Sequence, residues 1–296
     1  MDDDIIAQGL DRAAQRPAFE QLVFSGGGTR CFWHGGFLKV ACDPLRLDPV
    51  RVTGASGGAL SAACFIGRRE DKLLSVMGAA FEDLDANVSQ SLNELQEDGL
   101  TPHQRIYREV VSEVLDRDAI QAIAEGPSFQ VLIAHPPTET WPKWSTFPMM
   151  AAYLVDLALR STPHVEYPEK LGADKTLVDA RQAAREGKLV DLICCAAVIP
   201  PVFNVEGWKG RKVIDGGMTS KAPMPKPDIG RTLILLTRRF RNLPNDARRL
   251  YVQPSEAVPA DKIDFTDRQK IEATWAAGEA DAENFLAKND GAMHSV

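Results

Sequence analysis

The chain has 296 residues, 44% of them hydrophobic and 25% charged, with a net charge of −7. That is the balance of a globular protein with room for a sizeable core. The acidic excess excludes a nucleic-acid partner, which needs a basic stripe, and it excludes strong electrostatic attachment to anionic membranes, leaving peripheral membrane contact to apolar or locally basic patches.

From the N-terminus, Met1-Asp2-Asp3-Asp4 is acidic and lacks the basic-then-apolar pattern of a secretory leader. Residues 1–18 read as a flexible acidic lead-in to a core over 19–227. The first predicted strand, Gln21–Ser25, runs into Ser25-Gly26-Gly27-Gly28-Thr29-Arg30 and then a helix over Cys31–Ala41 that carries Phe32, Trp33, Phe37 and Val40. A glycine loop between strand and helix presents backbone N–H groups in a concave array, a cradle for an anion. The second strand, Val50–Thr53, leads to Gly54-Ala55-Ser56-Gly57-Gly58 and a helix over Ala59–Ile66. A serine at that apex occupies a sharp turn that its flanking glycines permit. Its hydroxyl stands above the sheet, and the Gly57 N–H points the same way from a helix start.

Further along, a helix over Ile106–Leu115 and a strand over Phe129–Ala134 precede an irregular stretch, Pro136–Glu169. With Trp141, Trp144, Phe147, Met149, Met150 and Tyr153 among prolines, that stretch reads either as a lid or lipid-facing surface or as an ordinary loop and helix on the core. Its longest apolar run, Phe147 to Leu159, is interrupted by Asp156. No run reaches the ~18 apolar residues of a membrane span, so no transmembrane segment is expected. A helix over Arg181–Cys195 follows, then the strand Lys212–Asp215, which ends in Asp215-Gly216-Gly217. An acid at a strand's end beside two glycines is placed for chemistry rather than packing.

Residues 228–287 continue the same domain with a strand over Arg231–Thr237 and a basic run (Arg238, Arg239, Arg241, Arg248, Arg249) read as a solvated loop. A helix follows, its start marked by the capping-box spacing of Thr266 and Gln269 and its body by Ile271, Trp275, Gly278, Ala282, Phe285 and Leu286 at helical intervals. Residues 288–296 read as a disordered tail. The five cysteines, Cys31, Cys42, Cys64, Cys194 and Cys195, have no paired spacing and are expected as free thiols in a cytoplasmic protein; an effector exported without a cleavable leader fits the same features. Strands alternating with helices imply an α/β domain, a three-layer α/β/α arrangement around a mostly parallel sheet, with its site at the carboxyl ends of the strands.

Three motifs in this order, Gly26-Gly27-Gly28-Thr29-Arg30, Gly54-Ala55-Ser56-Gly57-Gly58 and Asp215-Gly216-Gly217, resemble those of the patatin-like phospholipase family. So does Ala196-Ala197-Val198-Ile199-Pro200-Pro201-Val202-Phe203, a small-residue segment ending in prolines just before the Asp-Gly-Gly turn. The resemblance spans roughly residues 20 to 227. It implies a patatin-like fold and a Ser56–Asp215 catalytic dyad that hydrolyses acyl esters of lipids without a catalytic histidine. It also implies an oxyanion hole from Gly26, Gly27, Gly28, Thr29 and Arg30, joined by Gly57, with Gly54, Gly58, Gly216 and Gly217 supporting the motifs. One departure is Cys31, where the family often has glycine after the arginine; it sets a side chain at a crowded junction.

The residues themselves weigh the alternatives. A conventional triad would need a histidine after the acid, and only His294 follows Asp215; His34 falls within a helical pattern, and His103, His135 and His164 have no partner spacing. A Ser-x-x-Lys nucleophile is excluded because the third residue after Ser56 is Ala59. Arg30 suits steadying the loop or meeting a phosphate head group. No metal-ligand spacing is present, and neither metal nor cofactor is expected. The competing readings are a carboxylesterase or thioesterase acting on non-lipid substrates with the same dyad, a catalytically dead lipid-binding module, and a dinucleotide-binding domain. For the last, Gly26 and Gly28 fit the fingerprint but the third glycine position is Cys31.

Overall fold

The computed structural model describes residues 18–91, 100–136, 162–164, 174–200, 203–262 and 264–293, except the side chains of 83–91 and 289–293. Eight strands form one mixed sheet: β1 (Gln21–Phe24), β2 (Arg51–Ala55), β3 (Ser128–His135), β4 (Asp174–Asp179), β5 (Glu206–Trp208), β6 (Arg211–Asp215), β7 (Thr232–Leu235) and β8 (Arg249–Val252). Their order is β5-β6-β3-β2-β1-β7-β8, with β4 also on β3. The five strands from β3 to β8 along that order pair in parallel. The helices are α1 (Phe32–Ala41), α2 (Gly57–Gly67), α3 (Glu70–Ser91), α4 (Pro102–Val114), α5 (Arg117–Glu125), α6 (Ala180–Arg185), α7 (Leu189–Ala196) and α8 (Arg268–Met293). The result is the expected α/β architecture, a mostly parallel sheet flanked by helices. Among the described residues, no helix is long and apolar enough to cross a membrane.

The central strands are buried on both faces, which is why they read as apolar runs rather than alternating ones. One face sends Leu22, Phe24, Val52, Phe129 and Leu235 into a core shared with Trp33, Phe37, Leu60 and Ile193 of the helices. The other face packs Val23, Ile234 and Leu236 against Ala222 and Phe240. α8 lies against α1, where Trp33 Nε1 donates to Asp281 Oδ2 at 2.8 Å.

Several sequence expectations are corrected. The helix expected over Arg181–Cys195 is two helices, α6 and α7, separated by a turn in which Gly187 takes φ +69°, a backbone region that favours glycine. Thr266 does not cap α8. Its hydroxyl donates to Asp264, and Asp267 accepts from the Lys270 amide at 3.1 Å instead. A complete capping box occurs at α4, where Thr101 accepts from the Gln104 amide and Gln104 Oε1 accepts from the Thr101 amide. α8 continues to Met293, past residue 287 where a tail was expected; the remainder of that tail, the lead-in before Ala18 and nearly all of Pro136–Glu169 lie outside the described residues. The sequence reading had no counterpart for α3, α5, β4, β5 or β8.

The strand that matters most for the site is β6, whose direction the sequence left open. It runs antiparallel to β3, pairing Ile133 with Asp215 and Ala134 with Ile214. β2 occupies Ser128–Leu132 of β3, and β4 occupies Gln130–His135. β6 therefore shares β2's edge of β3, just beyond the end of β2, and the two strands meet head-on. Asp215 reaches the carboxyl end of the parallel strands by descending towards it.

Candidate active site

β2 ends at Ala55 and α2 begins at Gly57, so Ser56 must reverse the chain alone. It does so at φ +54°, ψ −136°, a conformation that costs a non-glycine residue on the order of 1–3 kcal/mol. Gly54 makes the turn possible: a Cβ there would lie 2.6 Å from the Gly58 carbonyl oxygen and 2.7 Å from the Ala59 Cα. The serine is 2% exposed, and its Oγ donates to Asp215 Oδ2 at 2.8 Å across 159 residues of chain.

Asp215 is fully buried. Its amide donates to the Val198 carbonyl at 2.7 Å, so the small-residue segment before the prolines anchors the acid's backbone. The second carboxylate oxygen, Oδ1, accepts from the Gly217 amide at 2.7 Å. A Cβ at Gly216 would lie 2.1 Å from the Leu132 carbonyl oxygen, so only glycine lets the chain leave β6 so close to β3. Burial pushes the carboxyl up to about 6. The positive charge of Lys221, the Ser56 hydroxyl and the Gly217 amide hold it from rising further.

The glycine loop folds beside the serine. Gly26 faces Ala55 and Ser56, and the Gly28 carbonyl abuts Gly57. Of the amides expected to form an anion cradle, three are engaged elsewhere: Gly26 donates to the Lys221 carbonyl at 2.8 Å, Thr29 to the Lys262 carbonyl at 3.4 Å and Arg30 to the Gly27 carbonyl at 3.3 Å. The amides of Gly27, Gly28 and Gly57 donate to no backbone acceptor among the described residues, but the Gly27 amide faces the Cys31 sulfur, which leaves Gly28 and Gly57 open from the expected set. Arg30 Nε donates to the Ala260 carbonyl at 3.3 Å, steadying the loop, and Cys31 Sγ donates weakly to the Ser25 carbonyl at 3.6 Å.

A cavity of about 540 Å³, counting its open mouth, begins at Ser56 and Gly57 and runs between Phe32, Leu60, Leu73, Met77, Phe203 and Phe265. Lys262 lines it too; burial, then the neighbouring Arg30 charge, bring its ammonium down to about 8. None of the described histidines bonds Ser56 or Asp215. His34 is buried edge-on against Phe24, and burial holds it neutral with a pKa of about 3. His135 bonds the Lys212 carbonyl and Thr176, His164 bonds Tyr251, and His103 lies against Phe265. His294 lies outside the described residues. In the basic run, Arg249 pairs with Asp228 and Asp246, Arg248 with Asp246 and Arg239 with Glu256, as befits a solvated surface.

Sequence reasoning missed Ala260 and Asp261, whose carbonyls accept from Arg30 and Thr29 of the glycine loop, and Phe265, which lines the cavity. It also missed Lys221, Lys262 and Tyr107. No spacing signal links any of them to Ser56, because they arrive from elements far away in the chain.

The geometry offers a hydroxyl hydrogen-bonded to a buried carboxylate, an open amide at a helix start and an apolar cavity. Comparison with known proteins gives a match to the family model described as Patatin-like phospholipase over residues 22–226. No curated protein matches the sequence. Among solved structures, the crystal structure of VipD from Legionella pneumophila aligns at 11% identity over 92% of this chain and 67% of its own, with a TM-score of 0.47.

Proposed function

Because the chain belongs to the patatin-like phospholipase family, we propose that it hydrolyses acyl esters of lipids, phospholipids among them, with Ser56 as nucleophile and Asp215 as its base. The observation that carries this reading is the 2.8 Å hydrogen bond from Ser56 Oγ to Asp215 Oδ2 at the head of an apolar cavity. Membership of the family supports lipid acyl hydrolysis in general, and the assignment of roles to residues is our own.

Ser56 Oγ attacks the ester carbonyl as its proton passes to Asp215. The oxyanion so formed is held by the amides of Gly28 and Gly57, the latter at the positive end of α2. Collapse of the tetrahedral intermediate expels the alcohol, which takes the proton from Asp215 and leaves an acyl-enzyme. Water then attacks with Asp215 again accepting the proton, and Asp215 returns that proton to Ser56 Oγ as the acyl–oxygen bond breaks and the carboxylic acid departs. An ordinary aspartate, with a pKa near 3.9, is a weak base for an alcohol. Burial lifts Asp215 to about 6, which increases its basicity while leaving it ionised at neutral pH. The rest of the work falls to the amides, each typically worth ~10²–10³ in rate.

The test is a lipid panel read by mass spectrometry alongside a fluorophosphonate probe. The native protein is expected to release fatty acid and to carry the probe on Ser56 alone. Ser56→Ala should fold, take no label and lose ~10³-fold or more of the activity. Substantial hydrolysis by Ser56→Ala, or labelling at another residue, would overturn the assignment. Release from simple esters but from no lipid would transfer the activity to a non-lipid esterase.

A further inference from the structure

We propose that Tyr107 reads an oxygen atom carried on the acyl chain of the bound ester, so that the enzyme prefers hydroxy- or oxo-acyl esters over plain saturated ones. This deepens the ester-hydrolase reading and rests on it. Tyr107 lines the same cavity as Ser56. It is 7% exposed, and among the described residues its buried hydroxyl has no hydrogen-bond partner. Its surroundings are apolar, with the Phe203 ring 5.9 Å away. Cys194, Cys31, Asp215 and Cys64 act on it electrostatically, and none of them bonds it. Burial holds the phenol protonated, well above its ordinary pKa, so it is available as a donor.

A buried polar group left unpaired is unfavourable, and native proteins seldom keep one without a purpose. A plain methylene chain filling this cavity would leave the donor orphaned, as it is in the empty fold. An acyl chain with an oxygen in reach would satisfy it. The ester carbonyl already has the amides of the glycine loop and the serine turn to meet it, which assigns Tyr107 to an oxygen further along the chain. The residue is also held in place. One turn before it, Gln104 closes the capping box of α4 and donates to the Asn204 carbonyl and Glu206. Immediately after it, Arg108 pairs with Asp191 and Glu206. A donor fixed in this way discriminates, because it cannot turn aside to water when the wrong chain binds.

The experiment compares kcat/KM for esters of one alcohol whose saturated acyl chains are identical except for a hydroxyl or keto oxygen, using the native protein and Tyr107→Phe. The native protein is expected to favour an oxygen-bearing chain, and Tyr107→Phe to lower that ratio about tenfold or more. No preference in the native protein, or the same preference in Tyr107→Phe, would overturn the proposal. Thermal melting supplies a second readout. A hydroxyl with no partner in the protein can be removed without loss, so Tyr107→Phe should melt at or above the native temperature. A lower melting temperature would reveal a protein partner for the hydroxyl and would overturn it equally. Hydrolysis with Ser56 labelling but no chain preference removes this inference alone, whereas absence of both hydrolysis and labelling removes the hydrolase reading and this inference with it.

Discussion

Ser56 is delivered by a parallel strand that ends beneath it and a helix that starts beside it, all within Arg51–Gly67. Asp215 is delivered by a strand that runs against its neighbour, held by a hydrogen bond from its amide to the Val198 carbonyl, a backbone approach to Leu132 and a turn through Gly217. The serine arm is a local device whose strain and relief lie within a few residues. The aspartate arm is assembled from contacts between distant segments, and its carboxylate sits in a place that burial makes unfavourable for charge. Geometry is what makes the first arm costly; for the second it is electrostatics.

Substitutions should separate the two. Beyond the loss expected for Ser56→Ala, the largest effect belongs to Asp215→Asn, expected to lower kcat/KM by ~10²–10⁴-fold. Stability should move the other way. A carboxyl whose pKa is raised to about 6 in the fold contributes stability that is present below the ordinary carboxylate pKa and disappears as pH rises through about 6. At neutral pH the ionised Asp215 is therefore a burden, and removing it should raise stability by on the order of 1–3 kcal/mol. Thermal melting beside activity checks both signs, and a variant that is inactive and also less stable would break the contrast.

Next come the glycines on which each arm turns. Gly54→Ala and Gly216→Ala both force a Cβ against backbone at 2.6 Å and 2.1 Å, and each should cost about 1–3 kcal/mol or more. Fluorophosphonate labelling sharpens the comparison. Gly54→Ala should displace the nucleophile and slow labelling. Gly216→Ala should shift the acid and slow labelling most at low pH, where the carboxylate is scarcest.

The smallest effect concerns the charge around the acid. Activity of the native protein should fall as pH drops through about 6, as Asp215 takes up its proton. The groups acting on that carboxylate are the ammonium of Lys221 just past the glycine turn, the Ser56 hydroxyl and the Gly217 amide. Only Lys221 among them is charged at neutral pH, and it favours the carboxylate. Lys221→Met should therefore move the acid limb of the pH–rate profile to higher pH, and an unmoved limb would show that burial and hydrogen bonds alone set it.

The parts of the site that could be read from the amino acids were those built by neighbours. The run of small residues around Ser56 announces a turn that only such residues can make, and the glycine loops beside it obey the same steric rule within a few residues. Asp215 was visible for the same reason, as an acid set before two glycines, but the direction of its strand was not: a parallel and an antiparallel β6 share one apolar pattern. The contacts of Ala260 and Asp261 with the glycine loop, the paired burial of Lys221 with Asp215 and the unanswered hydroxyl of Tyr107 belong to the folded molecule. Each depends on which surfaces lose water together when the whole chain packs, and no short stretch of sequence carries that information.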